Sequence, residues 1–497
     1  MPSNPTNRRF RVRWHLVLPA LLLAALAVLA VPAREPHLAP APPGGGSFTW
    51  NRDTLWQAHE AAFLAARAAG CADTLGVVSQ VTALRAVVDT LQLMPVAATA
   101  PVLDSVEARL FALTAEVAAC PAPLEEYLAL QLAHARMIKW QSRHWNMADR
   151  AVRDRIYRGL YGTRAASEEA MLQHPARVPA LQLVVQEPSA TPSALVQGVV
   201  LHSGDILVSR GGYPTSALIA RGNDYPGNFS HIGLVHVDEE TGAVSVIEAH
   251  IELGVAITTA EGYLADKKLR VMVMRPRADL PELVADPMLP HRAATAIRDR
   301  AVREHIRYDF AMDYRDPSQL FCSEVASSAY HEQGLELWMG ISTISRDGLR
   351  RWLGSFGVKH FATQEPSDIE YDPQLVVVAE WRDPATLFDD HLANAVTDAM
   401  LEGADRGDRL SYRWHQLPLA RAAKGYSWLM ARVGRQGPIP EGMSAPAALR
   451  SRSYSARHAA LAEQVRSAAG RWRAMRGYPP PYWTLVDLAR SELTTGQ

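Results

Sequence analysis

Three residues between positions 231 and 322 are of the types that carry nucleophilic chemistry. Cys322 stands in Phe321-Cys322-Ser323-Glu324, followed at i+3, i+4, i+7 and i+8 by Val325, Ala326, Ala329 and Tyr330. That spacing makes one apolar helix face and puts Cys322 in the first turn. Free N–H groups and partial positive charge at a helix N-terminus favour a thiolate. The thiol is therefore expected below its free pKa of about 8.5, and the same N–H groups, with Ser323, can hold an oxyanion. The competing reading is a small buried residue at a helix start. His231, in Asn228-Phe229-Ser230-His231-Ile232-Gly233, lies where a polar loop enters an apolar strand, a rigid mount for a base. Gly233 allows a close approach of backbone or substrate. Glu248, in Val246-Ile247-Glu248-Ala249-His250, is a carboxylate inside an apolar strand and needs a partner. Bonded to a histidine, it would fix the tautomer and stabilise the imidazolium. The alternatives are an exposed Glu248 on an edge strand, or His250, on the same strand face, as the third member.

Other chemistries fit less well. His231 and His236 are five positions apart and point to opposite faces of a regular strand, so one metal cannot easily take both. His59-Glu60 begins like a zincin helix but lacks the second histidine. There is no nucleophile elbow, P-loop, dinucleotide fingerprint or C-x-x-C.

The elements that must position these residues can be read from periodicity. Residues 51–185 show apolar spacing of three and four, hence helices. Beyond 196, short runs rich in β-branched residues (GDILVS, HIGLVHV, AVSVIEA, GVAITT and LRVMVM) are separated by Gly, Asn and Asp, as strands are. A helix is predicted from His291 to Ile306, another from Cys322, and a strand at 374–381. From 386 the chain reads as helical again, with Trp428, Trp472 and Trp483 expected to anchor it in a core.

Chain length, at 497 residues, calls for two or three units, since single cores stop growing near about 250–300 residues. A net charge of −1 gives no field to steer the protein to nucleic acid. Arg8, Arg9, Arg11 and Arg13 precede an apolar run from Leu16 to Val31, and a Pro/Gly stretch follows. This pattern predicts export, by an anchor or by a cleaved signal; a span needs about 17–25 apolar residues, and this run is slightly short. In an oxidising compartment Cys71 and Cys120, in one helical region, are expected to pair, leaving Cys322 as the odd thiol among three cysteines.

In their order, GDILVS, SHIGLVHV, VIEAHIELGV and YDFAMDYRDPSQLFCSEVASSAY resemble the YiiX-like permuted branch of the NlpC-type papain-like hydrolases. In the unpermuted family the cysteine helix comes first; here the strand block precedes it. The resemblance implies an α+β fold with a circularly permuted papain-like domain over 196–385. It makes Cys322 the nucleophile, His231 the base and Glu248 the orienting residue. Tyr308 falls where the family lines the active site near the oxyanion. Gly204 and Asp205 match a Gly-Asp motif, with Asp205 read as a structural turn residue. No metal or cofactor is implied. Around this domain lie residues 1–33 (signal or anchor), 34–50 (linker), 51–185 and 386–497 (helical regions outside the match). A polar, glycine-containing insertion from Arg210 to Phe229 departs from the family and could cover or shape the pocket.

The function expected is that of a periplasmic or cell-envelope thiol hydrolase, possible substrates being a peptide, a muropeptide, an N-acyl amine or a lipid ester, with no nucleic acid partner. Membrane contact would run through an uncleaved N-terminal segment. The rival readings are an inactive papain-fold binding module and a lipid acyl hydrolase or acyltransferase on the same fold.

Overall fold

The computed structural model describes residues 27–32, 38, 40–48, 54–433 and 435–495. The arginine flank and the apolar run as far as Leu26 lie outside the described residues. Among the described residues, no helix is long and apolar enough to cross a membrane.

Helices α1 (Thr54–Ala69), α2 (Thr74–Leu91), α3 (Pro101–Ala119), α4 (Leu124–Ser142), α5 (Arg150–Tyr157) and α6 (Thr163–Gln173) form the N-terminal region. Their apolar stripes meet in one core that includes Phe63, Leu84, Leu110, Phe111 and Met137. A Cys71–Cys120 disulfide ties the start of α2 to the end of α3, as expected from the sequence, and Cys322 is free. His59, the first residue of the zincin-like fragment, is buried in this core with its ring on the Phe111 carbonyl.

The centre is a seven-stranded sheet. Its strands are β1 (Leu181–Leu183), β2 (Ile206–Gly211), β3 (His231–Val237), β4 (Val244–His250), β5 (Gly254–Thr259), β6 (Lys268–Pro276) and β7 (Leu375–Trp381). Their spatial order is β1-β7-β6-β2-β3-β4-β5, every neighbouring pair antiparallel. β2 is buried along its whole length because both sheet faces are covered. On one face Val208, Ile232, Leu234, Ile247 and Met272 pack under α8 (Leu289–Arg303) and α9 (Cys322–His331). On the other, Leu207, Val235, Val246 and Val273 pack with Tyr263 and the hairpin of Ser193–Val196 with Val199–His202. The molecule is thus α+β, with the strands where the alternating runs placed them. The helix expected over 291–306 runs from Leu289 to Arg303, starting earlier because Pro290 suits a helix's first turn.

Gly204 and Asp205 act as a clamp. Gly204 has φ +96°, which favours glycine, and a Cβ there would meet Pro290 of α8. Its carbonyl accepts the Tyr330 hydroxyl of α9 at 2.5 Å. Asp205 holds the Arg275 guanidinium of β6 through both oxygens, at 2.7 and 2.8 Å, and accepts the His202 N–H. One turn therefore ties the edge of β2 to both covering helices and to β6, the structural role expected for Asp205.

The sequence insertion over 210–229 contains helix α7 (Pro214–Arg221). Beyond the cysteine helix come α10 (Asp347–Phe356), α11 (Pro384–Asp405), α12 (Leu417–Ala431), α13 (Ala445–Arg476) and α14 (Tyr482–Thr495). Trp483 is buried, but Trp428 is exposed on α12, so it does not anchor a core as expected. The flanks join the sheet through a buried ionic network. Glu168 of α6 binds Arg270 of β6, Arg382 and His391 of α11 at 2.8–2.9 Å. Asp390 of α11 binds Arg270 and Arg210 at 3.0 and 3.1 Å.

Candidate active site

Strand register brings His231 and Glu248 together. Glu248 lies opposite Gly233 across the β3–β4 ladder, and His231 stands two residues from Gly233, on the same face. The missing side chain at Gly233 leaves the diagonal open; a Cβ there would run into Val246 and Tyr263. His231 Nε2 is 2.5 Å from Glu248 Oε2, and His250 Nε2 is 3.1 Å from Glu248 Oε1. Glu248 therefore takes a histidine on each oxygen. His250 is not an alternative to Glu248 but a further member behind it.

Burial alone would raise the Glu248 carboxyl, but the hydrogen bonds from both histidines overcome it and hold the group well below the usual carboxylate range. Burial lowers His231, against the pull of Glu248, and so favours a neutral ring. Ionised Glu248 accepts the proton on Nε2, which leaves Nδ1 as the basic nitrogen. His250, more exposed, is raised by its bond to Glu248. Tyr263 stacks on the His231 ring at 6.4 Å between centroids and donates to Ser209 at 2.8 Å. Nothing in the sequence around Tyr263 signals this contact, because its partners come from other strands.

Cys322 opens α9 as the pattern predicted, with Val325, Ala326, Ala329 and Tyr330 buried against the sheet. Its thiol reaches the β3 backbone at the point that carries His231: Sγ is 4.0 Å from the Ser230 carbonyl, and the Ile232 N–H approaches the sulfur from the other side of His231. The N–H and hydroxyl of Ser323 also face the sulfur, and that hydroxyl has no other partner. The structure thus brings His231, Glu248 and His250 into one hydrogen-bonded chain and sets Cys322 against the backbone on either side of His231, but the thiol makes no hydrogen bond to the His231 ring.

The shift of the thiol runs opposite to the one expected from the helix terminus. Cys322 is buried, and desolvation, reinforced by the Glu365 carboxyl, pushes its pKa up to about 12 despite the N–H groups of Ile232 and Ser323. Glu365 is itself pushed well above the carboxylate range, first by burial and then by Asp368. The penalty for a charge without water outweighs the helix terminus here. Tyr308 lies within electrostatic reach of the sulfur, and burial and the Cys322 charge both raise its phenol.

His236 turns away from this site and stacks on His291 at 5.4 Å, as the strand alternation required. Among the described residues there is no group of three or more His, Cys, Asp or Glu arranged to hold a metal ion.

No protein-family model and no curated protein matches the chain. A solved structure that is similar is the metalloprotein yiiX from Escherichia coli O157:H7, DUF1105. It is 19% identical, aligned over 35% of this chain and 95% of that chain, with a TM-score of 0.27. At that score the likeness carries no argument, and the site must be judged on its own geometry.

Proposed function

We propose that the chain is a cell-envelope thiol hydrolase on a circularly permuted papain-like fold, cleaving an amide or related acyl bond. The observation that carries this reading is the Glu248–His231 hydrogen bond at the strand end against which α9 presents Cys322. A neutral histidine with its proton fixed by a carboxylate is a competent base. The order of elements, strand block before cysteine helix, supports the permuted papain-like assignment. The export pattern at the N-terminus supports the envelope.

The chemistry follows from the protonation states. The resting thiol keeps its proton. As Sγ attacks the acyl carbon, His231 Nδ1 takes that proton and the carbonyl oxygen takes the electron pair. The N–H groups at the start of α9 would stabilise the oxyanion. Collapse of the adduct expels the amine or alcohol, which leaves with the proton from His231 and leaves a thioester on Cys322. Water, deprotonated by His231, then releases the acid and restores the thiol. Glu248 stabilises the imidazolium in both halves.

The test is hydrolysis of a panel of chromogenic N-acyl anilides and acyl esters by the full-length protein. Activity abolished by Cys322→Ala and by His231→Ala supports the reading. Activity that survives either substitution overturns the assigned roles, and none across the panel favours an inactive binding module.

A further inference from the structure

The C-terminal helices, which lie outside the resemblance to the hydrolase family, enclose a large cavity together with α7 and α10 of the domain inside that resemblance. It is a cleft of about 990 Å³, at the top of the range of about 300–1,000 Å³ for small-molecule sites. Its walls include Leu353 and Phe356 of α10, Leu419 and Ala423 of α12, and Ile439 and Leu449 on the path into α13. Leu218 and Ile219 of α7 close one side, so the sequence insertion shapes the pocket. Charged lining is sparse: Glu252, Asp309, Arg413 and Arg452. Asp309 is already committed to the N–H groups of Ala311 and Asp313.

The cleft borders the end of β4 that carries His250. Ile251, the residue after His250, lines it together with Tyr308, whose phenol is raised by burial and then by Cys322. A second cavity of about 380 Å³ meets it at Ile251, Glu252, Tyr308 and Ile439. Cys322 itself lines neither cavity; Tyr308 lines both.

The outer face of α12 gives the direction of entry. Tyr426 is 55% exposed and Leu429 54%, and they line neither this cleft nor the cavity beside it. Arg421 and Arg432 flank them, the composition of a helix that lies in a membrane interface. Arg421 also donates to the carbonyls of Val28 and Leu29, at 3.2 and 2.7 Å. Those two residues lie near the end of the apolar run from Leu16 to Val31. The wall of the cleft is therefore pinned to the segment the sequence directs to the membrane.

We infer that this cleft binds the acyl chain of a membrane lipid and delivers its carbonyl past Tyr308 to Cys322, an inference that rests on the thiol-hydrolase reading and names its substrate class. A peptide backbone would find partners only on the polar part of the lining, at Ser411, Gln416, Ser451 and Ser453, and none along Leu353, Phe356, Ile439 and Leu449. An acyl chain gains from every methylene it buries there.

The test uses the full chain reconstituted in phosphatidylethanolamine/phosphatidylglycerol vesicles doped with a phosphatidylcholine that carries a diazirine near the end of one acyl chain. After irradiation, cross-links should map to 353–358 and 439–449, on the interior walls. Ala423→Trp and Ala448→Trp, two independent fillings of the cleft, should each reduce that labelling at least fivefold, with melting curves confirming the fold. Cys322→Ala should retain it. Labelling confined to the outer face of α12 or to the N-terminal segment, as occupancy of the cleft by that segment or by another protein would give, overturns the inference. So does interior labelling that neither tryptophan reduces. Hydrolysis of small acyl probes without interior labelling sinks the acyl-chain site alone; labelling without any hydrolysis sinks the enzyme reading alone.

Discussion

A thiol held at about 12 and a histidine held neutral make a resting pair with no charge on it. The sign of the shift sets a pH dependence. Raising a thiol's pKa favours its protonated form, so Cys322 is held as a thiol through the neutral range. Iodoacetamide should therefore alkylate folded Cys322 slowly at pH 6 and at pH 8, with the rate climbing only in the alkaline range. Rapid alkylation at pH 6 would restore the thiolate–imidazolium pair expected from the helix terminus alone. Glu248 and His250 separate by the same logic. Glu248→Gln removes the charge that fixes and stabilises His231 and should lower turnover by up to about 10⁴-fold. His250→Ala removes the bond to the second oxygen of Glu248 and should cost about 10- to 150-fold, the scale of one hydrogen bond to a charged group. Equal losses, read from kcat at saturating substrate, would make His250 the orienting group. At this scale the sequence revealed the identities and not the energetics. The Cys322, His231 and Glu248 positions follow from local pattern. The thiol pKa depends on Glu365 and on burial by segments far along the chain.

Single elements were readable where their pattern was long. The runs from Gly204 to Met274 and at 374–381 are strands, and α9 buries the face its spacing drew. Short β1 and the hairpin at 193–202 carry too few residues for alternation to show. Helix α7 was hidden because Gly211, Gly212, Gly222 and Gly227 flank it and make the stretch look like a loop. The Gly-Asp turn is the element on which the sheet's docking to α8, α9 and β6 depends. Asp205→Ala would leave the Arg275 guanidinium buried without its carboxylate, an arrangement that costs about 3–5 kcal/mol. Denaturant melts should show that loss, and Asp205→Asn, which keeps hydrogen bonds without charge, should recover part of it. A change below about 1 kcal/mol would mean that the Glu187 and Val200 carbonyls alone satisfy Arg275.

For the whole molecule, the sequence separated three regions that the structure packs together. Helical periodicity marks a buried face but not what covers it. The pairing of Glu168 with Arg270 and Arg382 across 102 and 214 residues has no local signature. The cysteines were more informative, since an oxidising compartment and a shared helical region selected Cys71–Cys120. That bond closes a separation of 49 residues and should contribute about 4 kcal/mol in a chain-entropy account. Reduction should lower the denaturation midpoint accordingly while leaving Cys322 chemistry intact; a shift too small to measure would mean the unfolded helical region stays compact. Every part of this architecture bears on one claim, that Cys322 becomes an acyl carrier when His231 takes its proton. The direct measurement is intact-protein mass spectrometry after brief exposure to an activated acyl ester, followed by peptide mapping and hydroxylamine treatment. The account predicts one hydroxylamine-labile acyl group on Cys322 in the wild type, its yield at least a hundredfold lower in His231→Ala. An unmodified Cys322, or acylation that proceeds equally without His231, would contradict it.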